Sequence, residues 1–473
     1  MSQMPPNAAP ISEVQAFLTK YPEVEAVDIV LTDAHGIGRG KSIRRHELES
    51  LFSAGRGIPA SMFAQDVAGD DVDGTGLVLS DGGGDLRCWP IAGTLGFVPV
   101  TGRGQVLISM FNADGTGFSH EPRHAMMAQI ARAQAMGYTP MGALEVEFYL
   151  IDRAPEGGQM QPARYPLTGR RSLNTNTMSV DELDEMSPFF DAVYAGAKHL
   201  DLPLEALISE YSAGQYELTI RYRGLARAAD DVVIAKRLLR ATARRFGMEA
   251  CFMAKPFGDK AGSGMHLHLS LADDLGRNLF ADTEGGDLAP LMLNAIAGIR
   301  ATIPDTMAIL APFQNSWRRF ASVNYSPAND TWGVENRTVA LRVPAGAGKT
   351  RHFEHRVAGV DANPYLVAAV TLGAALDGIT AKADPGPAVT GNAYDSTNNS
   401  NLAHSKLPSP NLPSSNLPRH WEGAIDVLET SEFARRVLGN SLHTGFVAIK
   451  RAEVQRMARQ VSQAEWDMYG FVV

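Results

Sequence analysis

Residues Gly262-Ser263-Gly264-Met265-His266-Leu267-His268-Leu269-Ser270 alternate polar and apolar side chains behind a glycine-rich turn. A period of two predicts a strand with His266, His268 and Ser270 on one face and the leucines on the other. Such a strand commits the chain to a half-buried sheet, because the leucine face needs a core and the opposite face must satisfy two imidazoles. Two imidazoles beside a glycine turn suit a metal or phosphate site. They equally suit a pair of hydrogen-bonded core histidines.

Other strands with the same demands follow from the pattern. Ala143 to Leu150 reads as a strand with Glu145, Glu147 and Tyr149 on one face, and further strands are expected at Leu204–Ser209, Gln215–Tyr222 and Glu249–Ala254. Arg337–Val343 and His352–Val357 read as a possible hairpin. Helices are expected from Pro122 to Ala135, from Ala226 to Phe246 and from Pro364 to about Leu376, two of them opened by a proline suited to a first helical turn. Two amphipathic helices, Trp421–Leu438 and Leu442 to about Met457, end the pattern. Upstream, a helix at Ile11–Leu18 and a strand at Val24–Leu31 lead to the turn Asp33-Ala34-His35-Gly36. Gly38-Arg39-Gly40-Lys41 reads as a second turn before an amphipathic segment, Arg45–Phe52. Val67–Gly84 reads as loop or edge, with solvated turns at Asp66, Asp70, Asp71, Asp73 and Asp81, and strands resume at Leu86–Trp89 and Gln105–Met110. The whole is an α+β chain, with a small β-rich unit closing near residue 115.

With 473 residues the chain can bury a large core and more than one domain. A net charge of −9 argues against general attraction to nucleic acid or to an acidic membrane surface. Cys88 and Cys251 are the sole cysteines, too few for a disulfide framework. Met1–Pro10 lacks the basic start and apolar core of a signal peptide. Tyr365–Ile379, the longest candidate for a membrane span, is alanine-rich but contains Asp377 and is too short. The expected setting is soluble and cytoplasmic. Pro385–Pro418 is rich in Pro, Asn and Ser and repeats Asn-Leu-Pro at Asn411 and Asn416, so it cannot form a packed core alone.

Two groups of residues carry chemistry. Glu145, Glu147, Glu210, Glu217 and Glu354 lie in or beside apolar strands, where unpaired carboxylates are costly and need cations, donors or metals. With His266 they form a set of oxygen donors and one nitrogen suited to Mg²⁺ or Mn²⁺. Arg319, Arg337, Arg342 and Arg356 form the cationic group, able to grip carboxylates or phosphates through paired hydrogen bonds or to close structural salt bridges. Ala347-Gly348-Lys349-Thr350 ends like a phosphate-binding P-loop, but Val343 occupies the place of its first glycine and no helix pattern follows. Lys349 remains able to meet phosphate by another geometry.

Taken in order, Glu145-Val146-Glu147-Phe148, Glu210 with Gln215-Tyr216-Glu217, Gly262 to His266, Asn336-Arg337-Thr338 and Glu354-His355-Arg356 resemble the glutamine synthetase superfamily over nearly the whole chain. The likeness is nearer to its glutamate–amine ligases, among them γ-glutamylputrescine and γ-glutamylpolyamine synthetases. The resemblance implies an N-terminal β-grasp domain over residues 1–115. It implies a catalytic domain over 116–473, with a curved antiparallel sheet and surrounding helices. It further implies a homo-oligomer, a dodecamer of two stacked hexameric rings with active sites between subunits. By the same resemblance Glu147, Glu210 and Glu217 hold one divalent metal, and Glu145, His266 and Glu354 hold a second beside ATP. Gly262, Arg319 and Arg356 bind glutamate. His268, Ser270, Arg337, Arg342 and Lys349 serve ATP, and Arg337, Glu147, Glu217 and Lys349 serve catalysis. The implied reaction joins the γ-carboxylate of L-glutamate to an amine through γ-glutamyl phosphate.

The departures bear on the amine and, at His352, on phosphate recognition. Tyr325 stands where the family's ammonium-loop glutamate is expected, Ala261 replaces an asparagine before the glycine turn, and His352 replaces an arginine before Glu354. The N-terminal region shows no counterpart of the loop that holds ammonium. These changes favour an organic amine, with putrescine or another polyamine foremost and Tyr325 in its pocket. Asp66, Asp70 and Glu335 are candidate partners along such a chain. Ammonia, ethanolamine, methylamine or an aromatic amine, and a non-catalytic regulatory or structural homologue, are the alternatives. The surroundings of Tyr394 differ from those of the nucleotide-modified tyrosine of regulated relatives, so no such control is expected.

Overall fold

The computed structural model describes residues 4–5, 8–78, 83–153, 160–321, 325–327, 329–394, 418, 420–470 and 472. The expectations for Asp81 and for most of the stretch from Pro385 to Pro418 lie outside them. Six strands form an N-terminal sheet: β1 (Ala26–Thr32), β2 (Gly38–Arg44), β3 (Arg56–Pro59), β4 (Asp85–Pro90), β5 (Gly96–Val98) and β6 (Arg103–Phe111). Their order is β2-β1-β6-β4-β3, with β5 on β6, and β1 runs parallel to β6. The apolar run of β1 explains its central place. Val27, Ile29 and Leu31 enter a small core with Phe17, Leu51 and Ile58, while Val30 on the other face joins the large core.

The glycines at 38 and 40 do not make the expected turn. They lie in β2, where a Cβ on Gly40 would stand 1.9 Å from the Ile29 carbonyl oxygen, and a positive φ of 151° removes the position from ordinary side chains. Glycine here marks close strand approach, which composition alone does not separate from a turn.

Ten further strands build the larger part: β7 (Thr139–Leu144), β8 (Val146–Asp152), β9 (Leu204–Ser209), β10 (Gln215–Ile220), β11 (Arg223–Gly224), β12 (Met248–Cys251), β13 (Leu267–Ala272), β14 (Trp332–Val334), β15 (Leu341–Val343) and β16 (Phe353–His355). They form two sheets, ordered β12-β8-β10-β9 and β11-β7-β13-β16-β15-β14. All neighbours are antiparallel except β14 and β15. The single strand expected over Ala143–Leu150 is two strands in different sheets. Glu145 sits at the crossing, its N–H bonded to the His266 carbonyl. The strand expected at Arg337–Val343 begins only at Leu341, because the Asn336 side chain accepts from Thr338 and folds residues 336–338 into a turn.

Helices Leu225–Arg245, Pro290–Leu310 and Pro364–Ala381 cover the sheets. The last is long and apolar enough to cross a membrane, but 83% of it is buried inside the fold, where it serves as a core helix. Its Gly378 lies against Gly298 of the second helix so closely that a Cβ on either would strike backbone at 2.1 Å. The expected helix Trp421–Leu438 is two helices, divided at Ser431, which caps the second by accepting from Ala434 N.

Candidate active site

The glycine turn and the strand after it organise the site. In β13 the leucines at 267, 269 and 271 are fully buried, as alternation requires, while His268 and Ser270 lie on the opposite, half-buried face. His266 precedes the strand and is itself buried. Gly262 and Gly264 are needed for close approach: a Cβ at 262 would meet Arg319 Cγ at 2.7 Å, and one at 264 would meet Arg319 Nη2 at 2.7 Å and His266 Nε2 at 2.8 Å. The turn is held by Ser263 N to the Ala254 carbonyl and Met265 N to the Ala358 carbonyl. Gln215, whose Nε2 donates to the Gly262 carbonyl at 3.0 Å, also supports it.

Around the turn opens a cleft of about 630 Å³. Glu145, Glu147, Glu210, Glu217, His266, Glu354, Gly262, Arg319, Arg337, Arg342, Arg356 and Tyr325 all line it. Elements far apart in sequence therefore meet at one cleft. His268 borders the cleft through Glu145 without lining it, with Nε2 3.0 Å from Glu145 Oε1. Ser270 lies further along β13, and Lys349 is exposed in the short turn Gly348–Thr350. Neither lines the cleft.

His266 Nδ1 lies 3.2 Å from Glu145 Oε2 and 3.3 Å from Glu354 Oε1. Glu147 accepts from Gly264 N at 2.6 Å. Glu217 stands opposite Glu147 in the β8–β10 ladder, and Glu210 follows the end of β9. Two groups have donor atoms within 4.8 Å of one another: Glu145, His268 and Glu354, and Glu145, Glu217 and His266. His268, reasoned to lie toward the nucleotide, is thus as near the carboxylates as His266.

The electrostatics divide the set. Burial pushes Glu217 up to about 10, with Glu145 and Glu147 adding to it, and burial with the Glu147 charge raises Glu210 to about 7. Burial also works against ionised Glu145, but His268 and His266 outweigh it and hold that carboxyl well below its usual range. Glu354 is likewise lowered despite burial, by Arg356 and the two histidines. Arg356 Nη1 and Arg342 Nη1, the latter at 3.0 Å, both donate to Glu354. Carboxylates crowded beyond their local cations form an oxygen-rich donor set with one or two imidazoles, which fits a divalent ion such as Mg²⁺ or Mn²⁺.

The arginines keep unused donors. Arg319 spends Nη1 and Nη2 on the carbonyls of Val357, at 2.8 Å, and Arg356, at 3.2 Å. Yet, among the described residues, Nε of Arg319, Arg342 and Arg356 is buried and has no hydrogen-bond partner. Unpaired guanidinium donors at an acidic cleft suit an anionic ligand.

Thr177, Met178, Ile208, Tyr211 and Thr219 also line the cleft and were not singled out in the sequence. Tyr211 had a signal in its place beside Glu210, but Thr177 and Met178 lie in a stretch without periodicity. The proposed amine contacts divide. Tyr325 lines the cleft, whereas Asp66 and Asp70 are ion-paired with Arg456 and Glu335 with Arg342, and none of these three acids lines it.

Arginines with unpartnered buried donors beside a carboxylate–imidazole cluster could hold a divalent metal and an anionic substrate, the pairing that phosphoryl transfer uses. Residues 119–469 match the family described as glutamine synthetase, catalytic domain. The chain belongs to the glutamine synthetase family, and it is an ATP-dependent ligase of glutamate and an amine. It is 35% identical to γ-glutamylputrescine synthetase PuuA of Escherichia coli (strain K12) over 459 residues, covering 96% of this chain and 93% of the relative. It is 31% identical to glutamate–isopropylamine ligase of Pseudomonas sp, covering 98% of each. Among solved structures, a GmaS/ADP complex superposes with a TM-score of 0.81 at 25% identity, covering 96% of this chain and 98% of that one.

Proposed function

We propose that this enzyme joins the γ-carboxylate of L-glutamate to an organic amine, with putrescine or another polyamine first among candidates, giving a γ-glutamylamide, ADP and phosphate. The observation that carries the reading is Tyr325: an uncharged aromatic lines the cleft where an ammonia-using relative is expected to place an acid. The similarity to ligases named for putrescine and isopropylamine supports it.

In this reading Arg319 and Arg356, with the backbone of Gly262, hold the α-carboxylate of glutamate and aim its γ-carboxylate at the terminal phosphate of ATP. A carboxylate oxygen attacks phosphorus and the bond to ADP breaks, leaving γ-glutamyl phosphate. Arg337 and Arg342 face the charge on the transferring group, an arrangement that stabilises it without reorganisation. The neutral amine then forms the carbon–nitrogen bond, phosphate departs, and the nitrogen loses a proton. Glu145, Glu147, Glu210, Glu217, His266 and Glu354 would hold divalent metal, which supplies charge neutralisation for the polyphosphate. His268, Ser270 and Lys349 are assigned to the nucleotide side, and Glu147, Glu217, Arg337 and Lys349 to the catalytic set.

The same reading assigns residues 1–115 to a β-grasp domain and 116–473 to the catalytic domain of a cytoplasmic homo-oligomer, a dodecamer of two hexameric rings. The helix Gln463–Tyr469 supports assembly, since it buries none of its residues and leaves Trp466, Met468 and Tyr469 exposed. The test is an amine panel with glutamate, ATP and Mg²⁺ or Mn²⁺, with products identified by mass. A γ-glutamylamide from an organic amine is expected. Activity confined to ammonia would refute the proposal.

A further inference from the structure

Among the described residues, the five carboxylates lining the cleft are those of the glutamate–imidazole cluster, Asp66 and Asp70 are ion-paired with Arg456, and Glu335 is ion-paired with the cleft arginine Arg342. Apart from those acids, Ile208, Met178, Tyr211, Thr177 and Thr219 line the cleft near β9, and the Thr219 hydroxyl is engaged by the Ala206 backbone. Ile208 stands directly opposite Glu217 in the β9–β10 ladder. Tyr211 follows Glu210 and donates its N–H to that carboxylate at 3.1 Å. Met178 is drawn to the same strand by its N–H bond to the Ser209 carbonyl at 2.8 Å. Its backbone is in the left-handed region, with φ 58°, a conformation that costs a residue bearing a Cβ about 1 kcal/mol or more. Met178 is also 66% exposed, so burial of its side chain does not compensate that strain. Tyr325, with φ 54°, is the second strained residue lining the cleft. Strain concentrated at a cleft, on side chains that bury little of themselves, points to a role toward a ligand.

We infer that Met178, Ile208 and Tyr211 form a wall that recognises the hydrocarbon chain of the amine, making them specificity-determining residues for primary amines bearing several methylene groups. The inference rests on the ligase reading above and deepens it. The wall binds carbon and has no free carboxylate, so it treats the alkyl chain of a monoamine and the methylene segment of a diamine alike. Each methylene moved from water onto the wall gains up to about fourfold in kcat/KM. A flexible thioether beside isoleucine and tyrosine accommodates chains of differing shape.

The experiment compares methylamine, ethylamine, propylamine, butylamine and putrescine with the purified full-length enzyme, measuring kcat/KM by product mass. Wild type is expected to rise along the monoamine series. Met178→Gly suits the left-handed backbone and removes the side chain, so its folding is not in question. It and Ile208→Ala should each lower the butylamine to methylamine ratio at least about fivefold, whereas Met178→Leu should keep it within about twofold. A ratio is read because damage to the phosphoryl-transfer machinery lowers both amines together. A flat wild-type series, or a ratio unchanged in both Met178→Gly and Ile208→Ala, would overturn the wall. If wild type makes glutamine from ammonia but no amide from any amine in the series, the ligase reading itself has failed and the wall falls with it.

Discussion

Metal binding should release protons, most of them from two glutamates. In the metal-free protein Glu217 titrates at about 10 and Glu210 at about 7, both raised first by burial and then by neighbouring carboxylates. A carboxyl that ligates a metal must be ionised, so its proton leaves as the ion enters. At pH 6 both groups are largely protonated, so saturation with Mn²⁺ should release about two protons per chain from them, together with any proton carried by an imidazole that ligates the ion. At pH 7 Glu210 is half ionised and the release is about one and a half. By pH 8.5 it falls to about one, from Glu217 alone. Calorimetry in two buffers of different ionisation enthalpy measures this number directly. Glu217→Gln should lower it by about one at every pH.

The same shifts fix the pH dependence of stability. Between an ordinary 4.5 and their folded values these carboxyls hold protons that the unfolded chain would have lost. The native state therefore binds more protons, and metal-free stability falls as pH rises through that window. For Glu210 the shift to about 7 corresponds to about 3 kcal/mol, lost progressively from pH 4.5 upward until Glu210 is ionised. Saturating Mn²⁺ should flatten this decline. A release below about half a proton at pH 6, or one that does not fall toward pH 8.5, would refute the assignment of these glutamates as a crowded ligand set.

Gly264→Ala should raise the KM for glutamate about tenfold or more with a small change in thermal midpoint, because the new Cβ falls on Arg319 Nη2 and His266 Nε2, which must shift by a few tenths of an ångström. Steady-state kinetics with varied glutamate check it, and an unchanged KM would refute it. Glu453→Ala should destabilise the fold by about 3–5 kcal/mol, read by denaturant unfolding. Glu453 is the buried acceptor for His35 at 2.6 Å and for the fully buried Lys450 at 2.8 Å, which would be left charged without a partner.

The composition of the site was legible where spacing and chemistry coincide. Glutamates in apolar strands are costly enough to demand partners, and Glu145, Glu147, Glu217 and Glu354 find them in one cleft. The path between strands was not legible. Ala143–Leu150 has an uninterrupted strand pattern, yet the chain leaves one sheet at Leu144 and enters another at Val146, a change that depends on which neighbours pair with each half. Gly40 misled for a related reason, since glycine marks a turn and a close strand crossing with the same letter. Met178 offered nothing, because its place follows from one bond to the Ser209 carbonyl across a long loop.

The break at Glu145 bears on function more than an unbroken strand would. Its N–H is spent on the His266 carbonyl and its side chain reaches both His266 and His268, so one residue joins the two sheets and both imidazoles. Glu147, two residues on, is paired across β8 and β10 with Glu217. Glu145 is held ionised by the two imidazoles, while burial and neighbouring carboxylates push Glu210 and Glu217 up toward their protonated forms. A divalent cation binding such a set would displace those protons. Under the proposed function the groups for phosphoryl transfer gather at this seam, so Tyr325 can stand on the amine side without removing any of them.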